Sequence, residues 1–179
     1  MSKRISALLV MGGLVVAGCS PTALQRAVDF ELPTTARTIE VEDGVSARAT
    51  GVLTIDTGGL EIGSGSFEID PDVITITPAD TTGGKGRVNL HGENTLDVTV
   101  WIAAPDELDT VCETGDEYGV FEVELDEDYR PIGVSPSIIT LTSRTRQLIN
   151  EGSFSFCVEV LSPVAGTVTI EKFTLNLGL

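Results

Sequence analysis

The sequence predicts an all-β fold, an antiparallel β-sandwich of the immunoglobulin-like or jelly-roll-like type, and three observations favour it. Apolar and polar residues alternate along most of the chain, which is the period of a half-buried strand. Gly-, Asp- and Pro-containing turns separate the alternating segments about every 8–12 residues. Hydrophobic residues make up 41% of the 179 residues, enough to form a core. A closed β-barrel is the alternative, because it uses the same alternation.

Six strands are expected in the first part of the chain. They cover residues 38–42, 45–56, 60–70, 73–77, 88–90 and 95–103. Asp43-Gly44 is a typical two-residue hairpin turn between the first two. The strand 95–103 has the clearest pattern, because Leu96, Val98 and Val100 share one face and Trp101 lies on the opposite, polar face.

The second part of the chain repeats this pattern, with one exception. Strands are expected at 121–126, 138–141, 154–160 and 168–177. In the last of these the apolar positions change phase after Ile170, and a β-bulge near Glu171-Lys172 would restore the buried face. The exception is 143–150, where the spacing of the apolar residues predicts one short helix that ends before Gly152.

The first nineteen residues have the pattern of an export signal. Lys3 and Arg4 precede an apolar run that ends at Gly18-Cys19, and such a run is too short to span a membrane stably. Val16-Ala17-Gly18-Cys19 resembles the lipobox of bacterial lipoproteins. The resemblance implies that the leader, residues 1–18, is removed and that Cys19 carries the lipid, typically with a palmitate chain.

The same resemblance predicts how the chain is organised and where it is located. Residues 19–26 form a short lipidated tether, and 27–179 form a single sandwich domain in the cell envelope. Ser20 follows the cysteine, whereas Asp there is the usual signal for retention at the inner membrane of enteric bacteria. The outer membrane, on its periplasmic or surface side, is therefore favoured over the inner membrane.

Cys112 and Cys157 are the two cysteines that remain after Cys19 is assigned to the lipid. An even pair in an oxidising compartment predicts a disulfide. Two free thiols are the alternative. A zinc site is disfavoured because zinc needs three or four closely spaced ligands and the chain has one histidine, His91.

The region 106–128 is rich in carboxylates and contains no Lys or Arg. Carboxylate oxygens are the ligands that calcium prefers, so Asp116, Asp126 and Asp128 are candidate Ca²⁺ ligands. The EF-hand spacing is missing, however, because no glycine follows in the required position. A solvated acidic face without metal is the alternative, and no cofactor is otherwise expected.

Trp101 and His91 are the other two candidate functional residues. Trp101 lies on a polar strand face, where an aromatic ring can stack on a sugar or a partner protein. The alternative is that it packs under a loop or the short helix. His91 is expected to be a surface residue, because no nucleophile motif accompanies it.

These observations predict a non-catalytic, lipid-anchored module that binds an envelope protein or a glycan, or that supports the envelope structurally. The formal net charge of −16 disfavours nucleic acid as a partner. Two alternatives stay open. One is a calcium-dependent adhesion module, and the other is a glycoside-type hydrolase, which needs only a pair of carboxylates.

Overall fold

The computed structural model describes residues 25–56, 59, 61–79, 94–136 and 138–178. In these residues the chain forms three open, antiparallel sheets that pack together around one hydrophobic core. The predicted all-β sandwich is therefore confirmed, and the sheets do not close into a barrel.

The described residues contain twelve strands and three helices. The strands are β1 (Gln25–Glu31), β2 (Thr38–Val41), β3 (Ser46–Thr54), β4 (Ser64–Glu68), β5 (Ile74–Pro78), β6 (Thr95–Ala103), β7 (Asp116–Leu125), β8 (Pro131–Ser135), β9 (Ile138–Thr140), β10 (Ser153–Leu161), β11 (Gly166–Ile170) and β12 (Lys172–Gly178). The helices are α1 (Thr34–Arg37), α2 (Val111–Thr114) and α3 (Ser143–Glu151), and single 3₁₀ turns occupy Pro71–Val73 and Pro105–Glu107.

The first layer of the sandwich is a five-stranded sheet in the order β3-β10-β6-β7-β8. Its inner face follows the period-two pattern of the sequence, because alternate apolar residues of β6, β7 and β10 are buried in the core. The opposite face carries the polar set of β6, including Trp101, and is called here the outer sheet face.

The second layer consists of a four-stranded sheet, β1-β12-β4-β9, and a three-stranded sheet, β2-β11-β5. Three chain segments contribute one strand to each of these sheets. The segments are interrupted by α1, by the 3₁₀ turn at Pro71–Val73 and by Glu171. At the interruption the backbone of Glu171 accepts from Leu32 N–H at 3.1 Å and donates to the Val73 carbonyl at 3.0 Å. The interruptions are thus held side by side.

The expected bulge near Glu171-Lys172 is replaced by this break between sheets. Val168 and Ile170 are buried before the break, and Phe173 and Leu175 are buried after it, so the buried face does change phase where the sequence indicates. The physical reason is that β11 and β12 pair with different strands, so one extra residue is needed between them. The change of phase therefore comes from the break between the two sheets and not from a bulge within one continuous strand.

The predicted short helix is confirmed as α3. The side chain of Thr142 accepts a hydrogen bond from Thr145 N–H at 3.2 Å and caps the first turn. Leu148 and Ile149 are buried on its inner side. Gly152 ends the helix with φ 93°, a left-handed conformation that glycine adopts without steric strain.

The two ends of the sandwich carry different elements. The end called here the α3 pole is formed by the start of β1, residues 61–64, α3 and the end of β12. Gln25 is paired with Gly178, and the Gly63 N–H donates to the Gly178 carbonyl at 3.0 Å. The opposite pole carries the turns at 42–45, 126–130 and 162–165.

Several expectations lie outside the described residues. These are the leader 1–18, the lipobox with Cys19, most of the tether, the strand at 88–90 and His91. The first described strand begins at Gln25, so residues 25–26 are part of a sheet. Within the described ranges, no helix has both the length and the apolar character that a membrane span requires.

Candidate functional site

The outer sheet face is organised in cross-strand rows. Trp101 of β6 is paired with Cys157 of β10, which is paired in turn with Thr50 of β3. The next row consists of Thr99, Glu159 and Arg48. Directly opposed residues of antiparallel strands point to the same side of a sheet. The pairing therefore brings an aromatic ring, a cation and an acid together on one surface.

Trp101 and Arg48 form the centre of this face. The guanidinium carbon of Arg48 lies 5.9 Å from the centroid of the indole ring, within the range of a cation–π interaction. The Arg48 Nε also forms an ion pair with Glu159. The ring is half-buried, so one part of it contacts protein and another part reaches the surface. Trp101 is thus held in a defined position on the face.

A cover over one end of the face is provided by α2. The buried side chain of Val111 packs with Ala103 and Cys157 in a small cluster on the outer side of the sheet, and Trp101 contacts this cluster. The predicted disulfide is present between Cys112 and Cys157, with 5.2 Å between the two Cα atoms. It joins α2 to the middle of β10, where the alternation of that strand places Cys157 outward.

The cover is held at two further points. The buried hydroxyl of Ser155 donates to the Ala104 carbonyl at 2.7 Å, just before the 3₁₀ turn that leads to α2. Arg144 of α3 forms ion pairs with Glu107 at 2.7 Å and with Asp116 at 3.7 Å. The segment between β6 and β7 is therefore fixed to both the sheet and α3.

The part of the face beside β7 is acidic. Glu122 is paired with Asp97 of β6, and Glu124 with Thr95. Glu122 and Glu124 line a shallow depression of about 560 Å³ near the edge strand β8. Exposed carboxylates of this kind accept hydrogen bonds from hydroxyl, amide or ammonium groups. The face as a whole can therefore combine stacking at Trp101 with hydrogen-bond acceptance beside it.

The three candidate calcium ligands lie at opposite ends of the molecule. Asp116 begins β7 at the α3 pole and accepts a hydrogen bond from the Thr142 hydroxyl at 2.9 Å. Asp126 and Asp128 follow the other end of β7, which spans roughly 30 Å. The Asp126 carboxylate accepts from the N–H groups of Asp128 and Arg130, both at 2.8 Å, and so shapes a turn. The structure therefore does not bring the three carboxylates together.

A metal centre has no obvious position in the described part of the chain. In those ranges no group of three or more His, Cys, Asp and Glu side chains is arranged to hold a metal ion.

Arg48 and Glu159 are functional candidates that the sequence reasoning missed. They are 111 residues apart in the chain, and only the register of β3 on β10 brings them together. The available signal was weak. It consisted of one arginine on the polar side of a strand in a chain with few cations.

The fold and the site together define an antiparallel β-sandwich with one disulfide, which fixes a short helix over the outer face of one sheet. Comparison of the chain with protein-family models, with curated proteins and with solved structures found no match.

Proposed function

We propose that the protein is a lipid-anchored, non-catalytic module of the cell envelope, and that its sandwich contacts a partner protein or glycan through the outer sheet face. The anchor is the lipid on Cys19. The expected location of the protein is the outer membrane, on the periplasmic or the surface side.

The disulfide between Cys112 and Cys157 is the observation that carries this proposal. Disulfides of this structural kind form and persist in oxidising compartments such as the bacterial periplasm and the cell surface. An exported chain is also what the basic and apolar leader predicts. Two independent parts of the chain therefore support the same compartment.

Lipid anchoring suits the charge of the domain. The formal net charge is −16, and the expected removal of residues 1–18 takes away Lys3 and Arg4 but no acid. Such a body as a whole is repelled by anionic headgroups, so its net charge does not attract it to the bilayer. Acyl chains contribute about 0.8 kcal/mol per buried CH₂, and two or three chains give durable attachment.

The partner surface is assigned to the outer sheet face because that face combines features of a recognition site. It presents a held aromatic ring at Trp101, and tryptophan and arginine are enriched among residues that dominate binding energy. The acidic side of the face offers hydrogen-bond acceptors to a polyhydroxylated or cationic partner. A glycan or a protein with such groups fits this combination.

The anchor is tested by metabolic labelling with a palmitate analogue, comparing the wild type with Cys19→Ser. We expect label in the membrane fraction for the wild type and none in the variant. A variant that is labelled as strongly as the wild type would contradict lipid attachment at Cys19.

The binding face is tested by photocrosslinking in intact envelopes, with the crosslinker placed at Thr50, an exposed residue in the same cross-strand row as Trp101. We expect one discrete adduct, and we expect the double variant Glu122→Lys with Glu124→Lys to lose most of it. The matched control is the double variant Glu40→Lys with Glu42→Lys, since both are exposed acids at β2 of the other layer and the change in charge is the same. Equal adduct yields in the two charge variants would argue against this face.

A further inference from the structure

The α3 pole contains the point at which the expected tether enters the fold. Gln25 begins β1 and is paired with Gly178 at the end of β12. Residues 20–24 separate Cys19 from Gln25. At no more than about 3.6 Å per residue, this connection spans roughly 20 Å. A lipid on Cys19 therefore keeps the start of β1 within about that distance of the bilayer.

The body of the sandwich is longer than this connection. β7 runs from Asp116 at the α3 pole to Leu125 at the opposite pole and spans roughly 30 Å at about 3.3 Å per residue. Turns at the opposite pole, such as the one at 42–45, therefore lie farther from Gln25 than the tether is long. The two poles have unequal access to the bilayer.

The α3 pole also carries a shallow depression of about 520 Å³, which is lined by Ser143, Arg146, Gln147, Asn150, Glu61 and Glu151 among others. It connects directly to the strand ends. The N–H of Ile62 donates to the Asn150 side chain at 2.8 Å, and the Arg146 guanidinium donates to the Gly63 carbonyl. The depression thus lies beside the end of the fold to which the tether leads.

Arg146 differs in its contacts from five other cations of the described ranges. Arg37, Arg48, Arg130, Arg144 and Lys172 each form an ion pair with a carboxylate. Within the described ranges, the contacts of the Arg146 guanidinium are with backbone carbonyl oxygens, those of Thr142 and Gly63. Its positive charge is therefore available to a phosphate, and Glu61 and Glu151 beside it can face an ammonium group.

We propose that the α3 pole is a lipid-facing surface and that its depression receives zwitterionic phospholipid headgroups, with the phosphate at Arg146 and the ammonium at Glu61 or Glu151. This rests on the proposed anchor at Cys19 and specifies how the anchored domain is oriented. The opposite pole then points away from the membrane, and the outer sheet face is roughly perpendicular to the plane of the bilayer.

The test uses full-length lipidated protein in vesicles of phosphatidylethanolamine and phosphatidylglycerol, with nitroxide-labelled headgroups as the quencher. A small fluorophore is introduced as a non-canonical amino acid at Ser143 or at Asp43. Both are exposed polar residues, they lie at opposite poles, and neither is a proposed headgroup contact. We expect severalfold stronger quenching at Ser143 than at Asp43.

Equal quenching at the two positions, or stronger quenching at Asp43, would overturn the proposed orientation while leaving the anchor intact. Flotation of the same samples separates the two proposals. If the wild type does not float with the vesicles, the anchor at Cys19 fails and the orientation fails with it. If it floats and Arg146→Gln leaves the quenching at Ser143 unchanged, the headgroup contact at Arg146 is refuted.

Discussion

Arg48 lies over the ring of Trp101, with 5.9 Å between its guanidinium carbon and the ring centroid. The two residues belong to strands that do not touch each other, because β10 lies between β3 and β6. Arg48 reaches across β10 and forms an ion pair with Glu159 of that strand. The contact therefore links three strands on the outer sheet face, and it holds the one tryptophan of the chain.

Replacement of Arg48 by Gln removes both the cation–π contact and the ion pair. We expect the free energy of unfolding to fall by about 0.5–1 kcal/mol, the size of such contacts at partly exposed sites. The emission of the single tryptophan should shift to longer wavelength, because the ring loses its cover and gains water. Arg130→Gln is the control, since Arg130 forms an ion pair with Asp128 in an exposed turn, with 3.9 Å between a guanidinium nitrogen and a carboxylate oxygen. The same spectral shift in both variants would contradict the assignment.

Removal of the disulfide should lower the free energy of unfolding considerably more than Arg48→Gln does. The sequence separation between Cys112 and Cys157 is 45, and the chain-entropy model assigns a loop of that size about 4 kcal/mol as an upper value. We expect the double variant Cys112→Ala with Cys157→Ala to unfold at lower urea concentration than the oxidised wild type. Reduced wild type should behave like the variant. A midpoint equal to that of the oxidised protein would show that the bond does not stabilise the domain.

The ion pair between Asp29 and Lys172 predicts a pH dependence with two limbs. The hydrogen bond from Lys172, followed by one from Thr174, lowers the pKa of Asp29 below its ordinary value of 3.8. The same bond to Asp29 raises the pKa of Lys172 above 10.5. Because the pKa of Asp29 is lower in the folded than in the unfolded protein, Asp29 stabilises the fold at pH values above its unfolded pKa. This stabilisation is lost as the pH falls through its folded pKa. Because the pKa of Lys172 is higher in the folded protein, Lys172 stabilises the fold at pH values below 10.5. This stabilisation is lost as the pH rises through its folded pKa.

Asp29→Asn should therefore reduce the melting temperature at neutral pH and weaken its decline at both extremes. Thr174→Val separates the limbs, because Thr174 contributes to the pKa of Asp29 but not to that of Lys172. We expect it to change the acid limb and to leave the alkaline limb as in the wild type. Thermal unfolding followed by circular dichroism across the pH range measures both. An unchanged acid limb in Asp29→Asn would refute the prediction.

The elements predicted correctly are those whose local signal agrees with their tertiary environment. β6 and β10 are interior strands of the five-stranded sheet, and alternate apolar residues of each face the core, so alternation alone identified them. α3 was identified because the spacing of its apolar residues and the position of Gly152 agree. The disulfide followed from the count of cysteines and the predicted compartment.

The elements that were missed depend on long-range pairing. α2 has four residues and is held by Cys157 and Ala103, so its own sequence contains little helical signal. β1 is an edge strand whose position is set by β12 at the far end of the chain. The contact between Arg48 and Trp101 depends on register, which period two does not specify. No local pattern could have located these features.

Glu171 offers a direct test of the divided second layer. Its side chain is exposed, so Glu171→Ala should change the unfolding free energy by no more than about 0.5 kcal/mol. Deletion of Glu171 should instead destabilise the protein by more than about 3 kcal/mol or prevent folding. The reason is that the neighbouring segments keep their interruptions, so β12 would slip by one residue against β1 and β4 and would turn Phe173 and Leu175 away from the core. Alternation considered alone predicts the opposite, because the deletion brings Phe173 into phase with Ile170. A deletion variant that melts like the wild type would therefore show that β11 and β12 act as one continuous strand.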